Sequence, residues 1–450
     1  MKALYFMKKG GDKMKGWQGV AGMCLVSVVA LTACSSSETE VAEGEGGEKA
    51  DLKSGQTELR VAWWGSQARH DRTIEAIKLF EAENPDIAIT TEFTGWDGYW
   101  ERMSTQAAGR NLPDVIQMDL QYINEYVSRD LLVDLTPYVE DGTLDFSDVD
   151  DIYLEGGIVN EGLYGINLGS NAMSIAYDAE IFAEAGVPEL EPGYTWDDYI
   201  EAVKTIHENL DGMYAYGFGD SLNFFKHYLR QHDLWLYNED NTGLGYDDDK
   251  YLIDFLNMYK DLLDSGVAAP PDVKAEVQGI QDELIVHGRA STFSPHSNQI
   301  VALNEAAGRK LQMTTLPAME GGSEASFIKP SLLFSATSQG DKSEEAARFI
   351  NFFVNSIEAN EILNAERGVP ISEKVRDHLY DHVSENTQLQ FDYVQLVEQR
   401  AAPIHPPDPA GTGQILDLYA RMIEEFEYEL LSAEEFAERF RGEVEIILSN

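Results

Sequence analysis

Cysteine is almost missing from this chain. Its 450 residues include two, Cys24 and Cys34, so nothing after position 34 can form a disulfide or a cysteine metal site. Positive charge is scarce as well: 33 Lys and Arg stand against 79 Asp and Glu, a formal net charge of −46. A surface of that sign repels phosphates at long range and leaves no broad basic stripe, which argues against nucleic acid as a partner. The patterns GxxxxGK[ST], HExxH, GxSxG and CxxC are also absent, which removes support for nucleotide hydrolysis, zinc proteolysis and the common serine-hydrolase elbow. Acidic pairs carry little weight among so many carboxylates, so they establish no glycosidase. Nothing calls for a cofactor, and small polar ligands stay open.

What the chain does contain suits a packed body, with 43% hydrophobic and 10% aromatic residues. Its length exceeds what one hydrophobic core usually organises and predicts two domains. At the N-terminus, Lys8, Lys9, Lys13 and Lys15 precede the uncharged run Gly16 to Ala33, which ends at Cys34. The motif "LTAC", Leu31 to Cys34, resembles a bacterial lipoprotein signal. That resemblance implies removal of residues 1–33 and a thioether lipid on Cys34 that anchors the protein on the outer face of the cell membrane. An uncleaved anchor is the alternative, although Gly16, Gln18, Gly19 and Gly22 shorten its apolar part. Both readings export the chain. Cleavage discards five lysines and one aspartate and takes the net charge to −50. Residues 34–56 are small, acidic and glycine-rich, which predicts a flexible tether with the folded part starting near Thr57.

From there strands and helices alternate. "LRVAWW" suits a buried strand, and Ile74, Ile77 and Phe80 recur at helical spacing until "ENPD" stops the helix at Pro85. "IAITTEF" reads as a second strand, "DGYWERMSTQAAG" as a helix, "PDVIQMD" as a third strand, "LQYINEYVSRDLLVDL" as helical turns and "LYGINLG" as a further strand. This order implies an α/β architecture with a parallel sheet covered on both faces, and such sheets bind ligands beyond the carboxyl ends of their strands. Trp64, Ser66 and Gln67 lie just past the first strand, with the next helix expected from near Asp71. Trp96 follows the second strand, and Asp119 and Tyr122 the third. Thr195 with Asp198 reads as a capping box, and Ser343 with Glu344 and Glu345 as a further helix cap.

The segments "AIKLFEAENPDIAI", "LPDVIQMD", "LYGINLGSNAMSIAYD", "IFAEAGVPE", "YTWDDYIEAVKTI", "KSEEAARFINFFVNS" and "ERGVPIS" are similar, in order over some 300 residues, to extracellular solute-binding protein family 1. These are the carbohydrate-binding lipoproteins of bacterial ABC importers. Within the family, "AWWGSQARHD" and "FIKPSLLFS" resemble the type that takes up pectin-derived oligosaccharides. The resemblance implies a two-lobed periplasmic-binding-protein-like fold of type II, like maltose-binding protein, with a three-strand hinge. The crossings fall near "NLGSNAM", "STFSPHSN" and "KPSLLFS". Residues 57–168 and 298–328 then make the N-terminal lobe, and 169–297 and 329–450 the C-terminal lobe. It also implies a non-enzymatic monomer whose partners are an oligosaccharide, the permease subunits and their ATPase. A lipid-anchored glycoside hydrolase or lyase is the alternative, and a surface adhesin a third.

Sugars offer flat C–H faces that stack on aromatic rings and hydroxyls that need paired donors and acceptors. The candidate platforms are Trp64, Trp96, Tyr122 and Trp235, whereas Trp63 is expected in the core. The polar candidates are Ser66, Gln67, Asp119, Asn171, His296 and Asn298, with Asn171 placed by the resemblance on the first crossing. Arg69, His70 and Lys329 are candidates for a ligand carboxylate, weighed against neutralisation by neighbours such as Asp71. Arg367 is a further residue that could reach the cleft, although a surface turn closed by Gly368 and Pro370 is the better reading. The loop 238–249 superficially resembles a calcium loop, but a turn at "DNTG" is the better reading.

Overall fold

The computed structural model describes residues 46–215, 221–277, 279–406, 408–409 and 411–449. The expected signal peptide, 1–33, and the lipidation site, Cys34, lie outside the described residues. Among the described residues no helix is long and apolar enough to cross a membrane.

The strands β1 (Thr57–Trp64), β2 (Ile87–Thr94) and β3 (Val115–Met118) come first. A small hairpin, β4 (Ile158–Val159) and β5 (Gly162–Leu163), precedes β6 (Ile166–Asn167), β7 (Ser170–Asn171) and β8 (Ile175–Tyr177). β9 (Tyr214–Ala215), β10 (Ala290–Phe293), β11 (Gln312–Thr314), β12 (Lys329–Pro330) and β13 (Leu333–Ala336) complete the order. They form a sheet β2-β1-β3-β13-β6 and a second sheet β11-β8-β10-β9, each the centre of one α/β lobe.

The strand period explains the first lobe. Leu59, Val61 and Trp63 point from β1 into one core, and Ala62 and Trp64 into the core on the opposite face, so helices cover both sides. The sheet is mixed rather than parallel. β1, β2 and β3 are parallel, but β13 runs antiparallel to β3 with Leu333 opposite Met118, because the chain re-enters this lobe at the carboxyl ends of the first strands.

Three expectations change. The segment 298–328, assigned above to the first lobe, carries β11, which pairs with β8, and the helix Gln299–Ala307, whose Ile300 and Leu303 pack with Ala176 and Ala290. Those apolar faces find their partners in the second sheet. Conversely, β13 and the helix Ser343–Asn355 pack in the core of β1, whereas the last helices, Thr412–Glu427 and Ala433–Leu448, join a core of the second lobe. The expected tether, 34–56, is also corrected in its described part, 46–56. Gly46 and Phe93 exchange backbone hydrogen bonds of 3.0 Å, and Thr91 donates to the Glu48 carbonyl, so residues 46–48 cover the exposed edge of β2. A Cβ on Gly47 would lie 2.2 Å from the Thr91 carbonyl oxygen, a contact that only glycine permits.

Helix ends follow local chemistry. The first helix, Gln67–Glu83, starts four residues before Asp71 because Ser66 caps it, its hydroxyl accepting from the Arg69 amide. The Thr195–Asp198 capping box forms as expected. Ser343 is instead the first helical residue, with Lys342 at the cap position and the Ser343 hydroxyl accepting from the Tyr138 phenol at 2.7 Å.

Candidate functional site: a groove at the strand ends

The three crossing segments meet side by side. β7 and β12 pair antiparallel with Asn171 opposite Lys329, Met173 bridges His296, and Ala172 and Ser297 hydrogen-bond through the Ala172 amide and carbonyl. Around them runs a groove of three compartments with shared walls. The floor compartment, about 390 Å³, is lined by Trp64, Trp96, Asp119, Asn171, His296, Asn298, Lys329 and Arg69. A middle compartment of about 620 Å³ shares Trp96, Asp119, His296 and Lys329 with it and adds the hairpin residue Ile158 and the segment 403–408 in part. The smallest and most enclosed, about 190 Å³, lies under the helix Leu222–Gln231 and is lined by Trp235.

Nine of the twelve candidate binding residues therefore line one groove. Trp96, the first residue of its helix, is 39% exposed and offers a ring to the groove. Trp64 is only 7% exposed and meets Trp96 edge to face at 5.0 Å, so it supports the platform more than it presents one. Tyr122 is not among the lining residues; it packs on Trp100 with centroids 3.9 Å apart, behind Trp96. Ser66 and Gln67 also fall outside the groove, Ser66 as a helix cap and Gln67 donating to Asp71 at 2.7 Å. Asp119 lines the groove and caps the helix Leu120–Ser128 through the Gln121 amide. Asn171 is buried with its Oδ1 lacking a hydrogen-bond partner among the described residues. Burial and the neighbouring Lys329 ammonium push the His296 imidazole down to about 4, so it is neutral at physiological pH.

The basic cluster after β1 serves the fold. His70 is 1% exposed, accepts from the Trp63 indole N–H at 3.0 Å and stacks on Phe93, so it reaches no ligand. Arg69 pairs with Glu366 at 2.9 Å and donates to the Trp64 carbonyl. Arg367 is no surface turn residue: it is 3% exposed, donates to the Thr73 hydroxyl at 2.6 Å and stands in the lining of the floor compartment. Lys329 differs, because its ammonium donates only to the Pro330 carbonyl at 3.3 Å and makes no ion pair among the described residues. The "DNTG" stretch is a turn closed by the Asn238 carboxamide oxygen, which accepts from the Thr242 and Gly243 amides.

Sequence reasoning missed the enclosed end, where Arg230, Lys226, Phe327, His405 and Asp408 stand around Trp235. One signal pointed there: His227, Arg230 and Gln231 occupy buried positions of an otherwise apolar helix face. Polar groups in such positions need partners. Counted along the three compartments, Arg69, Lys226, Arg230, Lys329 and Arg367 balance Asp119, Glu155, Glu239, Glu366 and Asp408. A neutral lining inside a chain of net charge −46 is a local enrichment in positive charge.

A family model described as bacterial extracellular solute-binding protein matches residues 66–358. The chain belongs to this family. A family 1 solute-binding protein from Alicyclobacillus acidocaldarius superposes with a TM-score of 0.77 at 29% identity, over 89% of this chain and 100% of its own. A periplasmic oligogalacturonide-binding protein from Yersinia enterocolitica gives 0.74 at 26% identity, over 87% and 99%. Among sequence relatives, the diacetylchitobiose-binding protein DasA of Streptomyces coelicolor is 23% identical over 88% of this chain and 91% of its own. The family's fold, two α/β lobes of the maltose-binding-protein type, is the one described above.

Proposed function

We propose that this protein captures an oligosaccharide between its two lobes and delivers it, chemically unchanged, to the permease of a bacterial ABC importer whose intracellular ATPase drives uptake. A lipid on Cys34 holds it, as a monomer, at the outer face of the cell membrane. The observation that carries this reading is the groove itself, in which the exposed Trp96 ring faces a polar set, Asn171, His296, Asn298 and Lys329, contributed by three chain crossings. An aromatic platform opposed by hydrogen-bonding groups suits the two faces of a sugar ring. Relatives named for diacetylchitobiose and oligogalacturonide binding support the ligand class. The unpaired Lys329 ammonium and the positive enrichment of the lining favour a uronate-containing, pectin-derived cargo.

Binding without chemistry needs only complementarity and exclusion of water. Trp96 stacks on a pyranose C–H face, while Asn171, whose buried Oδ1 lacks a partner among the described residues, accepts from a sugar hydroxyl. Neutral His296 can donate from one ring nitrogen and accept at the other. Calorimetric titration against a panel of oligosaccharides, with mass spectrometry of the recovered sugar, tests the proposal. One intact ligand bound per protein is expected, and the Trp96→Ala variant, correctly folded, should bind about 30-fold or more weakly, as for a stacked hot spot of about 2 kcal/mol. Cleaved sugar would replace this reading with a hydrolase or lyase.

A further inference from the structure

At the enclosed end of the groove a guanidinium is buried without a counter-charge. Arg230 is 7% exposed and lies against the Trp235 ring at 4.8 Å and the Phe327 ring at 4.7 Å. Its Nη2 donates to the Pro403 carbonyl at 2.8 Å, while Nε and Nη1 have no hydrogen-bond partner among the described residues. No carboxylate stands within ion-pair distance of it among the described residues, in a chain that carries 79 of them.

Glu239 also lines this compartment, without an ion pair to Arg230 among the described residues, and three other nearby acids are held by other partners. Glu324 accepts from the Ala325 and Ser326 amides and faces Arg400 at 3.7 Å; Glu155 accepts from the Ile404 amide; Asp408 pairs with Lys226 at 2.9 Å. Burial draws the Arg230 guanidinium down to about 10, which still leaves it protonated at neutral pH. A buried charge is costly to leave unpaired, and the guanidinium fork is matched to a carboxylate. Both rings line the same compartment as Arg230, so they border the space that a pyranose carrying that carboxylate would enter.

We propose that this compartment is an end-recognition subsite in which Arg230 receives the carboxylate of a terminal uronate residue and Trp235 and Phe327 flank its ring. The proposal rests on the oligosaccharide reading of the groove and assigns the acid-specific contact to Arg230 rather than to Arg69, which Glu366 already neutralises. The terminal sugar then occupies the blind end, and the rest of the chain extends through the middle compartment toward Trp96 and Lys329.

The test titrates trigalacturonate and its methyl ester into the wild-type protein and into Arg230→Gln. The wild type should prefer the acid by about tenfold or more, and Arg230→Gln should lose most of that preference while holding the ester within about threefold, since only a charge-assisted pair is removed. Should Arg230→Gln fail to fold, Lys329→Ala decides: an acid preference that survives it supports Arg230, and one that vanishes overturns the assignment. Equal wild-type binding of acid and ester, or equal loss of both in a folded Arg230→Gln, overturns the proposal and leaves oligosaccharide capture standing. Failure of every oligosaccharide to bind overturns both.

Discussion

His227 and His296 show how burial sets chemistry at single positions. Each is pushed down to about 4, chiefly by desolvation, although the Pro317 carbonyl favours the charged form of His227. Unfolding exposes both imidazoles, whose ordinary value is 6.5, so the unfolded chain takes up their protons first as the pH falls. Their contribution is fully present above pH 6.5, is lost as the pH drops from there toward 4, and amounts to about 3 kcal/mol for each at most. Urea midpoints measured between pH 7.5 and 4.5 should fall steadily, with a shallower slope in His227→Gln. A flat profile in the wild type would show that these rings are not held neutral. Trp64 and Trp96 make a similar contrast at the groove: adjacent and in ring contact, one is committed to the core and one is free to meet a ligand.

The arm along β2 is the element whose role was least apparent. An edge strand presents unpaired N–H and C=O groups, and residues 46–50 cover them, with the Glu48 and Ala50 amides also donating to the hydroxyls of Thr91 and Thr90. Gly47 permits the approach, since a side chain there would run into the Thr91 backbone. Gly47→Val should therefore release the arm. The expected result is rapid amide exchange at Thr91 and Phe93, with thermal stability lowered by about 1 kcal/mol, the worth of one or two net hydrogen bonds. Unchanged protection would mean that the arm does not hold the edge. The first helix is set with the same economy, its start advanced to Gln67 by the Ser66 cap.

For the whole molecule, two sheets each have their own cores, and the chain passes between them at β7, at the Met173–His296 bridge and at β12. Few backbone pairings join the crossings, which suits bending there without repacking either lobe. Saturation with a tightly bound oligosaccharide should reduce the radius of gyration in small-angle scattering while far-ultraviolet circular dichroism stays unchanged. An unchanged profile would mean that the lobes do not close on their cargo. The net charge of −46 sets a further property at this scale, long-range repulsion of anions, against which the balanced charges of the groove lining stand out.

The sequence by itself determined the elements and the family. Alternation along β1, the helical spacing of Ile77 and Phe80, the Thr195–Asp198 box and the position of Trp96 after β2 depend on neighbours within a few residues, so period and cap chemistry reveal them. The tertiary structure alone decided which segment joined which sheet, because β11 and β13 are short strands whose pairing partners lie far along the chain. It also decided the fate of each charge. Arg69, Arg367 and Arg230 look alike in the sequence, yet one meets Glu366, one is buried against Thr73, and one stands beside two aromatic rings with no carboxylate at ion-pair distance among the described residues, because electrostatic partnership is set by distances in space and not by spacing along the chain.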